Sequence, residues 1–303
     1  MITVPICISM AISFGCTRGK PAAQAPDTTR AQSISALYDR VETVFANAAY
    51  FKPRSENPRD RAEELPPLIL QDLESAADGA DAIRGFGVLA IDKLGNLNID
   101  ASQPTVYTAG GFVHLNGREY EQTLHIWWYA VSPRTSAAGT VWQGFRTTLG
   151  SDGFPIIWEV VSNSDSAAQI FVSESLEKAC IAAFGEPLPG RRFSIERSLA
   201  DQPRVVVSRV LADGPVPMGP WIYLRASDRA VSTIICRCMP SQVEDISQTA
   251  YYEMAPLSTL AELQMDAGAR EVIPAGPDEL NHGVPDMADP SWLEDALRLP
   301  PEF

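Results

Sequence analysis

The sequence predicts an α+β fold: an antiparallel, strongly twisted β-sheet with helices packed on one side. Three observations point there. Asn116-Gly117 and Asp152-Gly153 are each flanked by strand-forming residues. Asn-Gly and Asp-Gly take positive φ readily, as two-residue hairpins require. Residues 124–129 (LHIWWY) are too aromatic for a loop and too short for a helix by themselves, which leaves a buried strand. Residues 174–184 place Leu176, Ala179, Cys180, Ala183 and Phe184 at helical spacing. Strands dominate the middle of the chain, without the regular alternation of a doubly wound fold.

Each element follows from local signals. Residues 1–15 are apolar and uncharged and lead to Cys16, and residues 17–31 are rich in Pro, Ala, Gln and Thr, as a flexible tether would be. Residues 33–50 carry Ile34, Leu37, Tyr38, Val41, Val44, Phe45 and Ala48 at helical spacing, which predicts a surface helix. Residues 52–64 are charged and broken by proline, a loop, and residues 66–76 read as a shorter helix. Residues 87–91 and 97–99 read as strands about Gly95-Asn96, and 105–108 as another, ending at Gly110-Gly111.

The Asn116-Gly117 hairpin pairs His114 with Glu119 and Val113 with Tyr120. The Asp152-Gly153 hairpin pairs Arg146 with Glu159, Thr147 with Trp158 and Phe145 with Val160. Alternation then puts Phe145, Leu149, Ile156, Trp158 and Val160 on one face and Arg146 and Glu159 on the other. Pro155 cannot donate to a ladder and implies an edge, a bulge or a longer loop.

Further on, residues 169–172 form a strand and Ser173 caps the helix over 174–184. Gly185, Pro187 and Pro189 stop that helix. Residues 204–211, 221–224 and 231–238 are strand-like, the last of these being the final strand expected, and 258–267 suggest a helix. Residues 278–303 carry seven acids against Arg298 and read as a disordered acidic tail. Within it, residues 291–299 have the amphipathic pattern of a docking peptide. The expected organisation is therefore an export segment over 1–16, a tether over 17–32, one domain over 33–273 and a tail over 274–303.

The chain has 303 residues, 45% of them hydrophobic and 20% charged, enough to bury a core. A formal net charge of −14 argues against nucleic acid and anionic membrane surfaces as partners. Ser13-Phe14-Gly15-Cys16 resembles the lipobox of bacterial lipoproteins, in which a small residue precedes a cysteine that becomes lipidated. Ser13 stands where that motif usually has leucine, and Arg18 and Lys20 follow the apolar run, with no basic residue before it. The resemblance implies a protein of the bacterial cell envelope, lipid-anchored at Cys16 or periplasmic, touching the membrane only through its N-terminal anchor.

Candidate chemistry is sparse. Cys236 and Cys238, two apart on a strand, put both sulfurs on one face about 7 Å apart. With Cys180 they offer a disulfide from Cys180 to one of them, a zinc site completed by His125, or plain buried thiols; with Met239 alone they offer a Cu(I) site. Ser175 and Lys178 have the S-x-x-K spacing of penicillin-interacting enzymes, but the chain has no Lys-Thr-Gly. His125, Arg146 and Glu159 could form a hydrolase-like polar cluster. Arg191 and Arg192, and Met218 in the stiff loop 213–220, are candidates for partner binding, since rigid loops lose little entropy on binding. No residue pattern demands a cofactor. The expected function is a non-enzymatic envelope protein that binds another envelope protein or a small ligand. The alternatives are a thiol- or metal-dependent protein and a hydrolase-like one.

Overall fold

The computed structural model describes residues 48–54, 58–73, 85–91, 97–129, 141–162, 168–197, 205–225, 229–260 and 291–303. In chain order its elements are β1 (Ala48–Pro53), α1 (Arg61–Glu64), β2 (Leu68–Asp72), β3 (Phe86–Ile91), β4 (Leu97–Asp100), β5 (Thr105–Leu115) and β6 (Arg118–Tyr129). Next come β7 (Val141–Leu149), β8 (Pro155–Ser162), β9 (Ala168–Ser173), α2 (Glu174–Phe184), β10 (Val205–Leu211), β11 (Gly219–Leu224) and β12 (Val231–Cys238). The last are β13 (Thr249–Pro256), a 3-10 turn at Leu257–Leu260 and α3 (Ser291–Ala296).

Eleven strands follow one another in a single path, β10-β9-β8-β7-β6-β5-β13-β1-β2-β11-β12, and β3 with β4 hangs from β6. The pairings β1–β13, β13–β5, β2–β11 and β9–β10 are parallel, and the others antiparallel. One hydrophobic cluster draws on every one of the eleven strands, among them Phe51, Ile69, Val106, Phe145, Leu211 and Tyr252. A set of side chains shared by the whole path lies inside a ring. The fold is thus a nearly closed, mixed barrel-like sheet, which corrects the expected α+β sheet with helices on one side. Local signals identified antiparallel hairpins well. Parallel pairings join strands far apart in sequence and leave no local signature.

The ring's seam lies between β10 and β12, and arginines bridge it. Arg209 of β10 donates to the carbonyls of Ile234 and Ile235 on β12. Arg237 of β12 donates from Nε to the Ala212 carbonyl just past β10, at 3.0 Å. Guanidinium groups here do for the two edges what a backbone ladder does elsewhere.

Inside, the core is aromatic. Phe86 packs against Phe51, Trp127, Tyr129 and Tyr252 at centroid distances of 4.8–6.2 Å. Outside, Leu124, Ile126 and Trp128 of β6 join a second cluster with Leu176 and Cys180 of α2, Ile195, and Leu293, Leu297 and Leu299. β6 is covered on both faces, which is why LHIWWY shows no alternation. A third cluster, around Tyr50, Leu68, Leu70 and Tyr223, covers the outside of β1, β2 and β11.

Both hairpins have the expected registers, His114↔Glu119 and Val113↔Tyr120, then Arg146↔Glu159, Thr147↔Trp158 and Phe145↔Val160. Asn116 and Gly117 have φ of 50° and 73°, as a type I′ turn needs. A bulge between Thr148 and Leu149 lets Pro155 open β8 without breaking the ladder. It also turns Ile156 to the outer cluster, away from Phe145, Trp158 and Val160. Ser173 Oγ accepts from the Leu176 amide and Gly185 takes φ 77°, so α2 begins and ends as expected.

Other expectations are corrected. Residues 68–72 form strand β2 and not a helix. This short apolar run lies between β1 and β11 and pairs with both, which a helix could not do. The helix expected to end at Tyr50 gives way to β1 from Ala48, and its residues 33–47 lie outside the described residues. Residues 105–115 form one strand through both glycines. β13 was not expected at all. The helix over 258–267 reduces to the 3-10 turn within the described residues. The tail is ordered over 291–303: Leu293 and Leu297 are fully buried and Phe303 stacks on Tyr120 at 4.4 Å. Residues 1–47, with the export segment, tether and Cys16, and 261–290, with most of the predicted tail, lie outside the described residues.

Candidate functional site

α1 closes one end of the barrel. Asp60 caps it by accepting from the Glu63 amide. Arg61 Nη2 donates to Gly153 O in the β7–β8 turn at 2.6 Å, and Arg59 Nη2 to Met254 O at 3.1 Å. Directly beneath is His125. Its Nε2 lies 2.9 Å from the Ala62 carbonyl, and its ring stacks on Phe145 at 4.8 Å. A carbonyl only accepts, so Nε2 carries the proton and Nδ1 is bare. Complete burial pushes the imidazole pKa down to about 4, outweighing the Ala62 hydrogen bond and the Asp60 charge. His125 is therefore neutral at pH 7. Gly144, on the neighbouring strand, permits the close approach: a Cβ there would lie 1.9 Å from His125 O.

Arg146 and Glu159 form a bidentate pair, Nε to Oε2 at 2.9 Å and Nη2 to Oε1 at 2.6 Å. Glu159 is fully buried and the Arg146 side chain is 16% exposed. Register decides what this pair can do. His125 stands opposite Phe145, whereas Leu124 stands opposite Arg146. Neighbours across a ladder share a face. His125 therefore points into the barrel and Arg146–Glu159 points out, beneath the layer that holds α2. The structure does not bring the three together, and no acid–base pair forms from them.

The cysteines are likewise apart. Cys180, Cys236 and Cys238 are free. Cys180 packs in the cluster outside β5–β10, and Cys238 against the cluster outside β1, β2 and β11. Cys236 and Cys238 do stand on one face of β12, opposite Trp221 and Gly219. Burial pushes the Cys180 and Cys238 thiols up to about 12 and raises Cys236 as well. A thiolate, the nucleophile and metal ligand, is thereby disfavoured at all three. Among the described residues, no three His, Cys, Asp or Glu side chains gather as metal ligands.

The remaining candidates have structural occupations. Arg191 approaches Glu196 at 3.7 Å. The Arg192 guanidinium lies over Phe193 at 5.2 Å, and its amide donates to Glu196. Met218 folds back over Gly214, where a Cβ would meet Met218 Cε at 2.2 Å. Lys178 pairs with Glu174, while Ser175 Oγ donates to Asp213, so the S-x-x-K spacing gives no Ser–Lys contact.

Two arrangements were not legible in the sequence. Glu177 of α2 accepts from the Ser194 and Ile195 amides, fixing the loop on which the C-terminal residues lie. Arg298 then donates to Ser194 O, and Leu297 bridges to Glu196. Asn116 at the hairpin tip holds the carbonyls of Leu299 and Pro300. The only hint was the amphipathic pattern of residues 291–299. No protein-family model, curated protein or solved structure matches the chain. No helix among the described residues is long and apolar enough to cross a membrane.

Proposed function

We propose that the chain is a non-enzymatic binding or accessory protein of the bacterial cell envelope, lipid-anchored through Cys16 or periplasmic. Its partner is another envelope protein or a small ligand. The separation of His125 from Arg146 and Glu159 by the thickness of the sheet carries the non-catalytic part of this reading. General acid–base work needs its groups within hydrogen-bond reach of one reacting atom. The raised thiol pKa values at Cys180 and Cys238 speak in the same direction. The envelope part rests on the uncharged apolar run before Cys16 and on the net charge of −14, which disfavours nucleic acid.

The test is whole-protein mass and cell fractionation of the full chain expressed in a bacterium. The reading expects a diacylglycerol-sized addition at Cys16 with the protein in the membrane fraction, or a mature periplasmic form lacking the leader. In the first case Cys16→Ser releases the protein from the membrane. An unprocessed chain confined to the cytosol contradicts it.

A further inference from the structure

One side chain joins the tip of the β5–β6 hairpin to the C-terminal residues. Asn116 Nδ2 donates to the carbonyls of Leu299 and Pro300 at 3.1 and 3.2 Å, and the Asn116 backbone amide donates to Glu294 of α3. Around this tie the C-terminal residues are held by Arg118 on Glu302 at 2.8 Å, by Phe303 stacked on Tyr120, and by Arg298 on Ser194 O. Asn116 and Gly117 are themselves exposed. The Gly117 amide donates to no backbone carbonyl among the described residues, and a Cβ at Gly117 would meet nothing within 4 Å.

An asparagine followed by glycine can modify itself. The glycine amide nitrogen attacks the asparagine Cγ; the N–Cγ bond forms, the Cγ–Nδ2 bond breaks, and ammonia leaves. Water then opens the cyclic imide to aspartate or isoaspartate. Glycine favours this step because no side chain screens its nitrogen. We propose that Asn116-Gly117 is such a deamidation site, that the docked C-terminal residues hold the reaction back, and that the reaction releases them. Nδ2 must depart as ammonia, which breaks its bonds to Leu299 O and Pro300 O, and those bonds also fix the side-chain torsion. Docking and cyclisation therefore compete. The product cannot resume the contact. A carboxylate has no proton to donate and would face two carbonyl oxygens, with the Glu294 carboxylate close by. Two hydrogen bonds become two repulsions. Isoaspartate also lengthens the main chain by a methylene, and the two-residue turn sets the register of both strands. The site is independent of the envelope reading, since it requires nothing of residues 1–47.

The test uses the full chain. Purified protein is held at mildly alkaline pH, and peptide mapping follows conversion of Asn116 to aspartate and isoaspartate. Conversion should be roughly tenfold faster or more in Leu293→Asp with Leu297→Asp, where docking would bury unpaired charges, than in wild type. Arg298→Ala removes only the side-chain tie to Ser194 O and should move conversion in the same direction. It decides the matter if fast alkylation of Cys238 shows that the double variant has unfolded. The release step is read in Asn116→Asp. Asp-Gly still suits a type I′ turn, so the hairpin persists and only the donor is lost. Alkylation of Cys180, whose Sγ donates to Arg298 O at 3.3 Å, should speed up roughly tenfold relative to wild type, with Cys238 unchanged. Conversion no faster in the undocked variants than in wild type, or absent from all three proteins, would overturn the proposal. So would Cys180 as slow in Asn116→Asp as in wild type, or equal acceleration at Cys238, which would mean that the hairpin itself had failed.

Discussion

Neutral His125 inside the barrel couples folding to pH. Its pKa in the folded protein is about 4, against 6.5 for the ordinary group, because burial disfavours the charged ring. Between those values the unfolded chain binds the proton and the folded one does not. Stability is therefore complete above pH 6.5 and is lost as pH falls toward 4, by about 3 kcal/mol from this residue. His125→Leu removes the coupling while leaving the Ala62 carbonyl without its donor. It should be less stable than wild type at pH 7, and the difference should shrink by about 3 kcal/mol by pH 4. Urea midpoints at the two pH values measure this, and parallel losses in both proteins would refute it. The sequence showed His125 within an aromatic run that reads as a buried strand. It did not show that Ala62, sixty-three positions away, fixes the tautomer. The Arg146–Glu159 pair was legible because one turn dipeptide sets its register. Which side of the sheet lies inside a ring was not.

Elements that meet through distant sequence explain most of the corrections. β2 and β13 each have at least one parallel partner, β11 for β2 and both β1 and β5 for β13. Tyr252 and Met254 do alternate with the more exposed Tyr251 and Glu253, a period-2 signal that the adjacent tyrosines obscured. The C-terminal stretch is a similar case. Its acids favour solvent, but Leu293 and Leu297 sit one turn apart and find a groove between α2 and the β5–β6 hairpin. Cys180 reports on this clamp, since its Sγ donates to Arg298 O at 3.3 Å. With a pKa raised to about 12 by burial, native Cys180 should be alkylated at pH 8 roughly a thousandfold more slowly than an ordinary thiol. Leu293→Asp with Leu297→Asp should free the clamp and speed Cys180 selectively, leaving Cys238 slow. Peptide mapping after alkylation separates the outcomes. Equal acceleration at both cysteines would mean that the whole fold had opened, and no acceleration at Cys180 would deny the clamp.

At the scale of the molecule, everything assigned to the inside or the outside depends on ring closure. The β5–β6 and β7–β8 hairpins were readable from their turns and alternation. Their curvature into a barrel was not, because it rests on β13 entering between β1 and β5 and on Arg209 and Arg237 spanning the seam. Cross-strand proton contacts in an NMR spectrum of the full chain test this most directly. The account predicts backbone contacts joining residues 249–252 to residues 50–53 on one side, and residues 253–256 to residues 105–108 on the other, each in parallel register. A spectrum in which residues 249–256 contact neither strand, or only one of them, would open the ring and contradict the account.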